Sequence, residues 1–260
     1  FQYSVEHVAL AKQADIVMVA PASANVIGKI AYGIADDMLT TTVMACPCKK
    51  MISPAMNHNM YHNPIVQDNI QKLERFGYEM IAPDRGMLAN GDDGDGRMPE
   101  PEVLFEYILR ELAFEKDLAG KNVLVTAGAT MEAIDPVRYI TNHSSGKMGC
   151  AVAKAAMQRG AKVTLVAGHM EVLPPMFVDV VNVKSAADMF EAVTKLAPEQ
   201  DIIVKAAAVA DYTPVAVADN KIKKSDDDMK IELKRTQDIL GYLGQHKRDG
   251  QVICGFSMET

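Results

Sequence analysis

The sequence predicts an α/β protein made of two successive three-layer domains, each built on a mostly parallel sheet. Short β-branched runs alternate with amphipathic or small-residue helical stretches along the chain. Residues 121–168 spell strand, loop, helix and strand in turn, which is a βαβ unit. A polar stretch with a turn signal at 116–120 separates two such alternations, so the domains are placed at 1–117 and 118–260.

In the first half, residues 5–14 read as a short amphipathic helix. Residues 15–21 read as a buried strand opening into the small polar loop Ala22-Ser-Ala-Asn25. A helix over 26–35 follows, and Asp36 and Asp37 introduce another. Residues 51–57 are a strand entering a loop, 64–76 a helix and 78–83 a strand. The glycines and acids of 86–98 predict a loop or flap. An amphipathic helix over 101–115 ends this half.

The second half opens with a β-branched strand that stops at Gly128. After a long loop, Ser144-Ser-Gly-Lys147 leads into a small-residue helix, 148–159, ended by Gly160. Strands are expected at 162–168, 177–183, 201–209 and 251–256. Ser185 caps a helix reaching 196, residues 220–228 form a charged loop, and 229–233 fit an antiparallel edge strand.

A net charge of −7 argues against wholesale nucleic-acid binding. There is no apolar run of membrane-spanning length and no signal peptide. Four unevenly spaced cysteines (Cys46, Cys48, Cys150, Cys254) suit a reducing compartment, so a cytoplasmic location is expected. Phe1 is no initiator and nothing follows the last strand beyond Thr260, so the chain reads as cut at both ends.

The loop at 144–147 has the chemistry of an anion site. It offers two hydroxyls, the flexible Gly146, the free amides of a helix start and the charge of Lys147. The same pattern also fits an ordinary serine-capped connection. Only Gly128 follows the strand, so a standard G-x-G-x-x-G dinucleotide fingerprint is poorly supported. His58 and His62 stand four apart but lack the glutamate of H-E-x-x-H, and Cys46-Pro-Cys48 lacks a second thiol pair, so no metal-ligating residue is assigned. The acidic run 92–96 misaligns with a calcium loop; a flap whose Arg97 meets an anion fits it better, beside the plainer reading of a solvated turn. Lys221-Ile-Lys-Lys224 is either a solvated loop or a phosphate clamp, the latter because it follows the strand-end loop 207–211.

Taken together, Pro21-Ala-Ser-Ala-Asn25, Pro54-Ala-Met-Asn-His-Asn-Met60 and Gly91-Asp-Asp-Gly-Asp-Gly-Arg-Met98 resemble the flavin-dependent phosphopantothenoylcysteine decarboxylases. Asp135-Pro-Val-Arg-Tyr-Ile-Thr-Asn-His-Ser-Ser-Gly-Lys-Met-Gly149, Ala207-Ala-Val-Ala-Asp-Tyr212, Lys221-Ile-Lys-Lys224 and Gly255-Phe-Ser-Met-Glu-Thr260 resemble phosphopantothenate–cysteine ligase. Their order is similar to that of the bifunctional enzymes of coenzyme A biosynthesis. The resemblance implies two Rossmann-like domains.

For the first half it implies FMN, with Ser23, Asn25 and Met56 at the cofactor, His7 and Asn57 catalytic, and Arg97 and Met98 at the substrate. For the second half it implies CTP and Mg2+, with the nucleotide held by Ser144, Ser145, Gly146, Lys147, Ala207, Asp211, Lys221 and Phe256. Asn142 and Lys221 would serve the acyl-cytidylate chemistry and Arg138 the substrate. The implied partners are small molecules (4′-phosphopantothenate, cysteine and CTP) and further copies of the chain.

Asn90 stands where the family's flap carries the cysteine that protonates the enethiolate, and an amide cannot supply that proton. The decarboxylase half is therefore expected to release little aminothiol product. The family's amino-terminal glycine-rich phosphate loop and its later lysines are also absent from this sequence. A non-catalytic flavin-binding regulatory protein of the same family is the alternative reading.

Overall fold

A computed structural model describes residues 5–88, 91, 93–224 and 228–257. The chain divides into two compact units, Phe1–Ile108 and Leu109–Thr260.

In the first unit, α1 (Glu6–Gln13) leads into β1 (Ile16–Ala22). The next helices are α2 (Ala24–Ala31) and α3 (Met38–Ala45), whose first turns are capped by the side chains of Ser23 and Asp37. Then come β2 (Lys49–Pro54), α4 (His58–Tyr61), α5 (Pro64–Arg75) and β3 (Glu79–Met80). The ribbon β4 (Asp84–Met87) and β5 (Asp93–Arg97) precedes α6 (Pro101–Leu112). Strands β1, β2 and β3 form a parallel sheet in that order.

Side-chain alternation along β1 builds two cores. Val17 and Val19 join Ile52, Ile27, Val43, Ile70 and Leu73 on one face, while Ile16 and Met18 join Met51, Ile81, Leu104 and Tyr107 on the other. Helices cover both faces, giving three layers.

The second unit begins with β6 (Asn122–Ala127). A hairpin of β7 (Met131–Ala133) and β8 (Tyr139–Thr141) follows, then α7 (Lys147–Gln158), β9 (Lys162–Ala167), β10 (Asp179–Asn182) and α8 (Ala186–Leu196). After β11 (Ile202–Lys205), β12 (Tyr212–Pro214) pairs with β13 (Leu233–Arg235), and α9 (Ile239–Gln245) leads to β14 (Val252–Gly255). The main sheet is wholly parallel, in the order β10-β9-β6-β11-β14. Val123, Val125, Val163 and Leu165 pack under α7, and Leu124, Val166 and Ile203 pack under α8 and α9.

Three local expectations need correction, and one helix was not expected. The stretch expected as a flap loop at 86–98 is largely an antiparallel ribbon, although its second strand reads Asp-Gly-Asp-Gly-Arg. Strand propensity is poor there, and the ribbon is held by close approach to the loop after β2. The expected edge strand at 229–233 is displaced to Leu233–Arg235 and lies in a ribbon of its own. The strand expected over 201–209 stops at Lys205, because the buried hydroxyl of Thr126 accepts the amides of Ala206 and Ala207 and turns the backbone. Helix α9 was hidden by Gly241 and Gly244, which dilute its apolar pattern.

Candidate functional site

In the second unit, strand order reverses between β6 and β11, and at such a switch point loops diverge and leave a crevice at the carboxyl ends of the strands. Backbone bridges tie Ala129 to His169 on one side and to Ala208 on the other. The Thr130 hydroxyl accepts the Ala210 amide at 3.0 Å, and the Thr130 carbonyl accepts the Thr141 hydroxyl at 2.7 Å. Asn142 therefore arrives at the crevice and donates to the Ala208 carbonyl at 3.4 Å.

The helix that follows starts without a side-chain cap. Gly146 takes a left-handed φ of 77° as the N-cap of α7, and no side chain caps the helix. The amides of Lys147, Met148 and Gly149 thus lack helical acceptors. The Ser144 and Ser145 hydroxyls do not cap; instead the Ser145 carbonyl accepts the Glu171 amide at 3.1 Å. Gly149 lets α7 lie against β6, since a Cβ there would stand 2.5 Å from the Ala127 Cβ. The tight turn at Gly128 and the close packing at Gly149 match the first and third duties of a dinucleotide glycine fingerprint, and Gly146 stands between them at the helix start. The first glycine is separated from the other two by the β7–β8 excursion. Sequence reading found no fingerprint because it sought consecutive spacing; Gly146-Lys-Met-Gly149 was the available signal.

Lys221 to Lys224 is positioned from a distance in sequence. The Asp135 carboxylate, 2% exposed, accepts the amides of Val137 and Arg138 at 2.8 Å and that of Ile222 at 3.1 Å. Arg138 pairs with that carboxylate and donates to the Ile222 carbonyl at 2.7 Å. The Arg138 guanidinium, followed by these amides, holds the Asp135 carboxyl well below the usual range despite its burial. Arg138, expected at the substrate, thus also clamps the basic segment. Among the described residues the Lys221, Lys223 and Lys224 side chains form no ion pair, so three cations face solvent on an anchored backbone.

Asp211 lines a pocket of about 400 Å³ with Lys205, Arg235, Asp238 and Ile239, and its carbonyl accepts the Thr236 amide at 2.9 Å. The amide of Phe256 donates to the Lys205 carbonyl at 3.0 Å, which brings Phe256 to the neighbouring strand end. Ala207 adjoins Ala208 on the turn held by Thr126. A cavity of about 910 Å³ opens beside the β7–β8 hairpin, between Arg138, Tyr139, Lys184 and Lys234. Thr126, Thr130 and Asp135 were given no role from sequence, because the partners that reveal one, Ala206, Ala207, Ala210 and Ile222, lie 80 to 87 positions away.

In the first unit, Ser23 and Asn25 follow β1, and Met56 and Asn57 follow the adjacent β2. The Ala55 amide donates to the Ala22 carbonyl at 2.9 Å, so the two loops leave the sheet side by side. The Asn57 side-chain oxygen accepts the Asn59 amide at 2.9 Å, which leaves its NH2 group free to donate. Asn57 lines a cavity of about 450 Å³ with Ala55, Met56, Leu88, Arg97 and Met98. Arg97, expected to meet an anion, is paired with Glu100. His7 lies in the first turn of α1, and among the described residues no hydrogen bond or ion pair joins it to Asn57. Asn90 lies outside the described residues.

Among the described residues no helix is long and apolar enough to cross a membrane. The sequence model described as "DNA/pantothenate metabolism flavoprotein C-terminal domain" matches residues 118–260, and the one described as "Flavoprotein" matches 1–113. The chain is 50% identical over 259 residues to the coenzyme A biosynthesis bifunctional protein CoaBC of Bacillus subtilis (strain 168), across 98% of this chain and 64% of that protein. It thus spans under two thirds of that relative's length. A cysteine/cysteine sulfinic acid decarboxylase from an unknown prokaryotic organism is 44% identical over 98% of this chain and 72% of its own. The crystal structure of the C-terminal domain of CoaBC shares 48% identity over 55% of this chain and 67% of that chain, with a TM-score of 0.48. With a flavoprotein half followed by this C-terminal half, and similarity to the bifunctional coenzyme A biosynthesis proteins running end to end, the chain belongs to the DNA/pantothenate metabolism flavoprotein family.

Proposed function

We propose that the half from residue 118 joins 4′-phosphopantothenate to cysteine through an acyl-cytidylate made from CTP. The half up to residue 117 would bind FMN and decarboxylate the 4′-phosphopantothenoylcysteine so formed. The observation that carries this reading is the uncapped start of α7 at the switch point, with Lys147 on its first turn and Asn142 beside it.

Bare amides and Lys147 suit the phosphates of a nucleotide, and Lys221 to Lys224 add point charges where negative charge builds up during nucleotidyl transfer. Asn142 spends one N–H on Ala208 and keeps its second N–H and its oxygen for the acyl group. The Asp211 carboxylate is an oxygen donor of the class Mg2+ takes alongside triphosphate.

In the first half, the neutral donors Ser23, Asn25 and Asn57 and the apolar wall of Ala55, Met56, Leu88 and Met98 fit a flat, uncharged ring system. When bound, FMN would supply the electron transfer that loss of carbon dioxide from a cysteine-derived carboxylate needs. The free Asn57 NH2 suits that carboxylate as a neutral donor. The deciding assay is pyrophosphate release from CTP: it is expected only when 4′-phosphopantothenate is present, and release without it, or none at all, overturns the ligase reading.

The identity to a cysteine decarboxylase supports a second reading, in which the first half acts on cysteine itself. Carbon dioxide formed from cysteine but not from 4′-phosphopantothenoylcysteine would select it. Flavin retained without turnover of either would select the regulatory alternative.

A further inference from the structure

The short helix α4 and the ribbon β4–β5 meet at three potential metal ligands. His58 opens α4 and His62 is its C-cap, so the two rings stand one turn apart. Their ring centroids lie 4.4 Å apart. Asp95 of β5 reaches into the same space: its Oδ2 is 2.8 Å from His62 Nε2 and 3.9 Å from His58 Nδ1. One ligand atom from each residue lies within 4.8 Å of the other two.

We infer that His58, His62 and Asp95 form a binding site for one divalent transition cation of the zinc class, which would fasten the flap ribbon to the loop after β2. Metal–nitrogen and metal–oxygen bonds of tetrahedral zinc put ligand atoms about 3.4 Å apart. The present separations of 2.8 and 3.9 Å fall on either side of that spacing. Two imidazoles with one carboxylate select Zn2+, Co2+ or Ni2+ over Mg2+ or Ca2+, which take oxygen almost exclusively.

All three side chains are about half exposed, at 42%, 49% and 38%, so a cation can enter and keep a fourth position for water. The flap itself sets the His58 ring: a Cβ on Gly94 would stand 2.9 Å from it, and the Asp95 amide donates to its Nδ1 at 3.1 Å. Coordination through Nδ1 replaces that hydrogen bond. At His62 the Nε2 that now bonds the Asp95 carboxylate must present its lone pair to the metal instead.

The competing arrangement is a metal-free clasp made by the His62–Asp95 hydrogen bond. The test uses the whole chain carrying Cys46→Ser and Cys48→Ser, which removes the closely spaced thiol pair that precedes β2. After stripping with a chelator it is titrated with Co2+ and then Zn2+. One equivalent of Co2+ is expected, displaced by Zn2+, with its visible absorption and with shifted ring protons on two histidines. His62→Ala and Asp95→Asn, with unchanged circular dichroism, should each weaken binding more than about 10-fold. Unshifted histidine ring protons in the Cys46→Ser, Cys48→Ser chain, or an affinity in either variant equal to that of this chain, overturns the site and leaves the clasp.

Discussion

Asp135 shows how one side chain can organise a site that it does not occupy. Its carboxylate gathers the Ile222 amide and Arg138, and so fixes the backbone from which Lys221, Lys223 and Lys224 project. Asp135→Asn keeps the size but loses the charge. Pyrophosphate release should fall by about 10²-fold while the circular dichroism spectrum stays unchanged, since small misplacements of charged groups cost that much. The acid response carries a definite sign. The folded carboxyl sits below its unfolded value, so its stabilisation is complete above the ordinary carboxylate range and is lost as pH falls through the folded value. From about pH 5 downward the unsubstituted chain should lose melting temperature more steeply than Asp135→Asn. Position 90 tests proton supply instead: Asn90→Cys should raise the yield of aminothiol product per carbon dioxide released, as followed by mass spectrometry. Asp135 stood inside a motif plain in the sequence, yet its task depends on residue 222, and no local pattern joins the two.

At the scale of elements, legibility followed the source of the order. Strands β6 and β9 and helix α7 were readable because β-branched runs and small-residue periodicity are local properties that burial then uses. The ribbon β4–β5 was not, because it depends on contact with another segment. Gly96 abuts the Met56 carbonyl, whose own amide donates to the Gly96 carbonyl at 3.0 Å. Gly149 belongs to the same class of close approach, with Ala127 beneath it. Gly149→Ala should push α7 off β6 and cost about 1–3 kcal/mol, measured by denaturant titration. The same shift moves the amides at 147–149, so the apparent KM for CTP should rise along with the lost stability.

At the scale of the whole molecule, each unit rests on its own buried clusters, and these share no residue. Ile52 and Leu124 are both fully buried at the centres of different sheets. Ile52→Ala and Leu124→Ala should each cost about 2–5 kcal/mol in the unit that carries it. Flavin retention should suffer in the first variant and pyrophosphate release in the second; loss of both functions in both variants would show that the halves stand or fall together. The layered architecture was legible in the sequence, since alternating strands and helices leave few other solutions.

The excursion between β6 and α7 carries a different lesson. Gly128 abuts His169 and Gly146 abuts Met170, so the segment from 129 to 145 departs and returns at adjoining residues of one turn. Both ends of the excursion are thus moored to one turn, so its tip could change length without moving the junction of β6 with α7, as long as Asp135, Arg138 and Asn142 keep their partners.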